Sequence, residues 1–554
     1  MTDLVFSGGR VLGVDDPDGV VVVRDGTILA VGGPETRERA GAGAATVDLQ
    51  GGLLVPGFTD AHAHPIQGGM ERRTCDLTGT KGEPAYLERI RAYADARPEL
   101  EWIVGAGWEM AAFPGGTPTA ASLDAAVGDR PAYLVNRDHH GAWVSSRALA
   151  LAGVDERTPE PESGRIERDA DGLPTGTLHE GAMALVERLV PRPGPAEMMA
   201  GLLEGQRYLH ALGITGWQDA IVGAYDAVPD NGHTYRQAAL DGTLTARVVG
   251  ALWWPRGVDD VPAQVADLVA RRDELTGGRF RATSVKIMAD GVAENFTAAM
   301  GAPYLDARGH PTDNTGLSFV PRDVLLEAVP RLDAEGFQVH VHAIGDRAVR
   351  DALDAFEAAR ERGSRQARPT DTRPTDNRHH IAHLQVVHPD DVRRFADLGV
   401  AANMQPLWAA HEPQMDELTI PFLGPERSTW QYPFAALRDA GARLVAGSDW
   451  PVTSPDPLWG MHVAVNRIAP PEERVGDPPA FLPEQRLRVG DALAAYTEGS
   501  AWVNHRDDSG RIEPGRLADL ALLDRDVTVC PAEEISAIRV LGTWVGGERV
   551  HGWP

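Results

Sequence analysis

The chain has little cysteine: 554 residues carry two, Cys75 and Cys530. That excludes a disulfide-stapled scaffold and any Cys-x-x-Cys zinc site. It also lacks a basic excess, since 53 Lys and Arg face 80 Asp and Glu, a net charge of −27. This balance argues against nucleic acid as the main partner, because phosphate binding needs a basic face. It equally disfavours attachment to an anionic membrane surface. No apolar run reaches the roughly 18 residues of a membrane span. The opening M-T-D-L-V-F-S-G-G-R-V has no basic start followed by a long apolar core, so it does not read as a secretory signal. These absences predict a soluble cytoplasmic protein whose partner is a small molecule, with no nucleic-acid or membrane role.

What is present is a substantial core. Hydrophobic residues make up 43% of the chain, and the length suits a large barrel with an accessory domain. Apolar β-rich segments recur at Leu53–Thr59, Ile214–Gln218, Arg247–Trp253, Ser284–Ala289, Gln338–Ala343, His380–Val387, Val400–Met404 and Arg443–Gly447. Helical patterns separate several of them. Asp346–Arg362, with Val349, Leu353 and Phe356 at 3.6-type spacing, is one; Arg322–Glu335 is another. Eight strands alternating with helices read as an α/β fold of the (β/α)8 TIM-barrel type.

Short strands punctuated by Gly and Asp fill residues 1–55 and 505–554. Left apart, each set would expose strand edges. The expectation is one discontinuous β-sandwich domain from both chain ends (1–55 plus 505–554), beside a barrel over 56–504. The connection over 66–212 is far too long for a simple crossover and reads as an insertion near the barrel mouth. Gly363–Arg378 contains R-P-T-D twice, at 368–371 and 373–376, and reads as a solvated loop.

The chain is organised around Leu53–Pro65, L-L-V-P-G-F-T-D-A-H-A-H-P. On an extended strand i and i+2 point the same way, so His62 and His64 present two imidazoles side by side. Imidazole is the commonest protein ligand for zinc and similar metals. Functional groups of such barrels sit at the C-terminal strand ends. Lys286 in S-V-K-I-M-A-D-G, His340 and His342 in Q-V-H-V-H-A-I-G-D, His383 in H-H-I-A-H-L-Q and Asp449 in L-V-A-G-S-D-W-P all fall at that end. Singly each has an ordinary structural explanation. Together they put at least five candidate ligands and a lysine at one end of one barrel.

These motifs resemble the amidohydrolase superfamily. The likeness is strongest to amidohydrolase family 3, the YtcJ-like branch that contains the N-substituted formamide deformylases. It extends through V-G-A-G-W-E at 104–109, D-H-H-G-A-W-V-S at 138–145, G-L-P-T-G-T-L-H-E at 172–180 and G-R-I-E-P-G-R-L-A-D-L at 510–520. The resemblance implies a metal-dependent hydrolase acting on a non-peptide carbon–nitrogen bond in an amide or N-substituted formamide. It implies a divalent metal, zinc first and manganese or iron next, as one or two ions. His62, His64, His342, His383 and Asp449 would be ligands, and Lys286 a ligand after reaction with carbon dioxide to a carbamate. Asp449 would also move the proton between attacking water and leaving nitrogen. His340, one layer deeper than His342, receives no role. The family also suggests a homodimer.

Trp108, Glu109, His140 and Gln405, with Trp143 and Trp408, are candidates for the substrate-binding wall. Two alternatives stand beside this reading. One is a hydrolase of an ester, cyclic amide or amidine, the last a deaminase, against which Lys286 counts. The other is a metal-binding barrel without activity, against which the full ligand set counts.

Overall fold

The computed structural model describes residues 3–161, 164–225, 229–366 and 376–552. Eight parallel strands succeed one another around a barrel. They are β1 (Phe58–Ala63), β2 (Ile214–Val222), β3 (Arg247–Trp253), β4 (Phe280–Met288), β5 (Gln338–Ala343), β6 (His380–His383), β7 (Ala401–Met404) and β8 (Leu444–Ala446). Period-two alternation sends Val285, Ile287, Val339 and Val341 into the apolar layer under the helices. Ser284, Lys286, Gln338, His340 and His342 take the other face, also buried. In register, Lys286 pairs with His340 and Met288 with His342.

The chain leaving β8 closes the ring onto β1. Asp449 N–H donates to His62 O and His64 N–H to Trp450 O, each at 2.7 Å. Gly447 makes that approach sterically feasible: a Cβ there would lie 2.6 Å from His62 Cβ and from His62 N.

The expected first barrel strand, Leu53–Thr59, is two strands of different sheets. Leu53–Pro56 pairs antiparallel with Leu520–Leu523 outside the barrel, and β1 begins only at Phe58. Gly57 marks the break, since any Cβ there would sit 2.3 Å from Thr215 Cγ2. The run is apolar as far as Phe58, and both halves are buried. Composition therefore hides the change of sheet. Likewise His380–Val387 forms strand only to His383, because His383 and Leu384 adopt φ of +78° and +53°.

Both chain ends build one β-sandwich. Its five-stranded sheet runs Arg10–Val11, Leu53–Pro56, Leu520–Leu523, Val540–Val545, Glu548–Gly552. Its four-stranded sheet runs Thr27–Gly32, Val20–Arg24, Leu4–Ser7, Ala45–Asp48. Phe6, Val21, Ile28, Leu54, Leu520 and Trp544 share the core between them. Arg247, opening β3, ties this sandwich to the barrel through a two-pronged contact with Asp519, at 2.6 and 2.9 Å. Removing one partner of such a buried pair typically costs about 3–5 kcal/mol, because the other charge stays buried alone.

The insertion after β1 carries a six-stranded sheet of its own: Gly164–Arg168, Pro174–Glu180, Gly141–Val144, Ala132–Asn136, Ile103–Trp108, Cys75–Asp76. None of these strands joins the barrel. One face packs on the helices Glu83–Ala96 and Ala120–Val127 through Ile103, Leu134, Tyr86 and Leu123. The other face looks onto the barrel mouth. The helix after β5 runs Asp346–Gln366, four residues into the segment expected as loop. The two R-P-T-D copies fall largely on 367–375, outside the described residues. Among the described residues, no helix is long and apolar enough to cross a membrane.

Candidate metal centre and active site

Four side chains from three places in the barrel converge at the C-terminal end of the strands. His62 Nε2 and His64 Nε2 each lie 3.1 Å from Asp449 Oδ1. His383 Nδ1 lies 3.9 Å from Asp449 Oδ2. Donor atoms of His62, His383 and Asp449 all fall within 4.8 Å of one another, a spacing that one cation can span. His383 and Asp449 hold φ of +78° and +61°. Such left-handed conformations are uncommon outside glycine and cluster where a side chain must be aimed.

The electrostatics suit a cation. Burial, helped by the Lys286 charge, pushes His62 down to about 3. Burial also holds His342 and His383 well below the usual imidazole range. These rings are therefore neutral at neutral pH and can offer lone pairs. Both ring nitrogens of His383 are buried with no hydrogen-bond partner. Buried polar atoms are seldom left so unless an ion or water satisfies them. The donor set of imidazoles and one carboxylate, with these orphaned nitrogens, fits a divalent metal.

His342 stands beside the cluster, its ring centroid 4.4 Å from that of His383. Its Nε2 faces Gly291 O at 3.3 Å and Asp290 at 3.5 Å. Lys286 is 1% exposed and lines the same cavity. Its ammonium makes no hydrogen bond or ion pair among the described residues. Burial pushes it down to about 7, against the opposing pull of Asp449.

The cavity above this floor measures about 820 Å³. Of the expected wall residues, His140 and Trp408 line it. Trp408 stacks on His383, with 5.5 Å between centroids and 12° between planes. Trp108 and Trp143 do not: both are fully buried in the insertion's own core, packed on Phe113. Trp108 Nε1 is spent on Leu134 O. Glu109 also stands outside the lining and pairs with Arg137 at 3.2 Å. Gln405 lies beneath the floor, accepting from His383 N–H at 2.6 Å. Trp108 thus points to the helix-covered face of the insertion's sheet, away from the cavity, and Glu109 follows the end of that strand.

Other residues reach the site without a sequence signal that singled them out. Asp60 accepts from His62 N–H and Ser448 N–H, both at 3.0 Å, and so couples the ends of β1 and β8. His139 and Arg256 line the cavity. Glu180 accepts from His140 Nδ1 with both oxygens at 3.0 Å, and from Thr297 Oγ1 at 2.8 Å. The D-H-H-G motif and the H-E pair at 179–180 were visible, but nothing local says that His140 and Glu180 meet.

That pair makes a prediction. Burial opposes the imidazolium, but Glu180 outweighs it and raises His140 from 6.5 to about 9. Glu180, despite burial, is lowered from 4.5 by His140. The raised His stabilises the fold fully below pH 6.5 and loses that contribution as pH rises toward 9. The lowered Glu stabilises fully above pH 4.5 and loses it on acidification. Urea unfolding at pH 6 and pH 9 is expected to show a loss of roughly 2–3 kcal/mol in the wild type. His140→Gln is expected to lose distinctly less over that range; equal losses in both proteins would refute the assignment.

The family profile of the amidohydrolases matches residues 45–551, and the chain belongs to the amidohydrolase family. Among its relatives, LONG AFTER FAR-RED 3 of Arabidopsis thaliana is 30% identical over all of this chain and 92% of that protein. The N-substituted formamide deformylase of Arthrobacter pascens is 28% identical over 99% of this chain and 98% of its own. An uncharacterized metal-dependent hydrolase from Pyrococcus furiosus is 26% identical and superposes with a TM-score of 0.69, over 95% of this chain and all of that one.

Proposed function

We propose that the protein hydrolyses a non-peptide carbon–nitrogen bond, in an amide or N-substituted formamide whose nitrogen carries a bulky apolar group. The observation that carries this reading is the convergence of His62, His64, His383 and Asp449 at the floor of a large cavity. The named activity of the Arthrobacter pascens relative supports the bond type.

His62, His64, His383 and Asp449 would hold one divalent ion, and His342 with a carboxylated Lys286 would complete the set. When bound, such an ion supplies Lewis acidity toward a carbonyl oxygen and makes water a stronger acid near neutral pH. Asp449, anionic and aimed at this point, takes the proton from the attacking water and then delivers it to the leaving nitrogen. The carbonyl carbon passes through a tetrahedral state between these transfers.

The apolar group is accommodated by the insertion. Val104 pairs with Tyr133 and Ala106 with Val135 across two parallel strands. All four lie on the cavity face, joined by Trp102. With Trp408 opposite, this gives an aromatic and aliphatic wall far larger than a formyl group needs. Cavities of 300–1,000 Å³ suit ligands of drug size. A screen of metal-replete protein with N-substituted formamides, N-acyl amines, cyclic amides, esters and amidines tests the reading. Turnover is expected for formamides or N-acyl amines with large apolar substituents. Turnover confined to esters or amidines would overturn it.

Lys286 carries a separate prediction. Of the 53 Lys and Arg residues only Lys81 and Lys286 are lysines. A guanidinium, always protonated, could not serve here. At a pKa of about 7, half the amine is neutral at that pH and can add to carbon dioxide. The neutral amine nitrogen forms a bond to the carbon of carbon dioxide as one C=O π bond opens, a proton is released from nitrogen, and the carbamate carries one negative charge shared by two oxygens. Lys286→Ala is expected to lose metal and most activity, and short carboxylic acids should restore part of both. Full metal and turnover with an unmodified amine in a high-resolution map would refute the carbamate.

A further inference from the structure

Beneath the metal centre lies a run of buried amides and imidazoles whose hydrogen-bond directions can be worked out from its far end. Gln338 Nε2 faces two backbone carbonyls, Arg378 O at 2.8 Å and Val503 O at 2.5 Å. Carbonyls only accept, so the amide nitrogen must be there and Gln338 Oε1 must face the other way. Gln338 Oε1 receives Gln218 Nε2 at 2.8 Å, and Asn504 Oδ1 receives the same nitrogen at 2.9 Å. The orientation of Gln218 follows. Its Oε1 faces His340 Nδ1 at 2.6 Å and His380 Nε2 at 3.0 Å.

An amide oxygen only accepts, so His340 carries its proton on Nδ1. An imidazolium enclosed among other imidazoles and amides would be costly, so His340 has no second proton. Its Nε2 is then an acceptor, 2.8 Å from His62 Nδ1. His62 must donate, which places its only proton on Nδ1 and leaves a lone pair on Nε2. That lone pair is aimed at Asp449 Oδ1, 3.1 Å away. Two acceptors facing each other at this distance repel unless a cation lies against both.

We propose that Gln218, acting through His340, is the positioning residue that holds His62 in its Nδ1–H tautomer and so presents the Nε2 lone pair to the metal. The inference rests on the reading of His62 as a ligand. It assigns a task to His340, and to a glutamine whose side chain points into the barrel two layers below the chemistry. Side chains that orient a metal-binding histidine typically change metal affinity about 10- to 100-fold when replaced.

The test uses the full-length chain labelled with ¹⁵N-histidine. Long-range ¹H–¹⁵N spectra of the zinc-free protein report the tautomer of His62, identified by the signal missing from His62→Gln. Zinc affinity is measured by competition with a chromophoric chelator. The wild type is expected to show Nδ1–H at both His62 and His340. In Gln218→Met, His340 should move its proton to Nε2 and His62 should follow, with zinc binding weakened about 10- to 100-fold. Gln218→Glu keeps an acceptor at the same place and should retain the wild-type tautomer, which mere packing would not explain. An unchanged His62 tautomer in folded Gln218→Met overturns the proposal. If that variant does not fold, the wild-type spectrum decides: Nε2–H at His62, or His340 without a proton on Nδ1, overturns it. The Nδ1–H pattern in a wild type that binds no zinc would support the relay and sink the metal reading instead.

Discussion

Replacing His62 and His64 together by alanine is expected to strip the protein of metal and to lower turnover by about 1,000-fold or more. Several kcal/mol of transition-state stabilisation go with a bound ion, and each 1.4 kcal/mol is tenfold in rate. Two of the four convergent donors vanish in this variant, while Asp449 and His383 alone make a poor site. The barrel itself is expected to survive. Its closure between β1 and β8 runs through main-chain atoms, His62 O and His64 N, which alanine retains. The cost to stability is the orphaned His340 Nε2, about 1–3 kcal/mol for an unpaired buried polar group. Elemental analysis and circular dichroism check the two halves. Full metal content in the folded double variant would remove the assignment of the H-x-H pair.

Asp449→Asn is expected to retain the fold and to lose about 100- to 10,000-fold in rate per bound metal, the usual contribution of a positioned proton carrier. Asparagine tolerates the left-handed backbone that Asp449 adopts, at φ +61°. It keeps the size and one accepting oxygen, so the change is confined to charge and proton affinity. Normalising to bound metal separates loss of the ion from loss of the proton carrier. Near-normal turnover in metal-replete Asn variant would exclude Asp449 from proton transfer.

The barrel was legible because its strands are short, apolar and regularly interrupted, and the side-chain period of a strand is a local property. Lys286 and His342 could be set on the inward face by counting in twos. Boundaries were less legible. Leu53–Phe58 shows no polar interruption, yet at Gly57 the chain passes from one sheet to another. The wall of the cavity was legible only in part. Trp108 and Trp143 have the composition of a binding wall, but their indoles fill the insertion's interior. Trp102 and Tyr133, on the opposite face, took the place expected of them.

What the sequence by itself determined is the set of chemical groups and their local geometry. Two imidazoles at i and i+2, a lysine and two histidines on inward strand faces, and an aspartate after an Ala-Gly-Ser turn follow from covalent adjacency and strand period. What the tertiary structure alone decided is which of these groups meet, and through what. Gln218 reaches Asn504, 286 positions away in sequence, and Glu180 reaches His140, 40 positions away. No periodicity encodes such contacts, because they arise where separate strands and loops close around one space. The tautomer of His62 belongs to this second kind: two backbone carbonyls, Arg378 O and Val503 O, set it through three side chains that a local reading treats as unrelated.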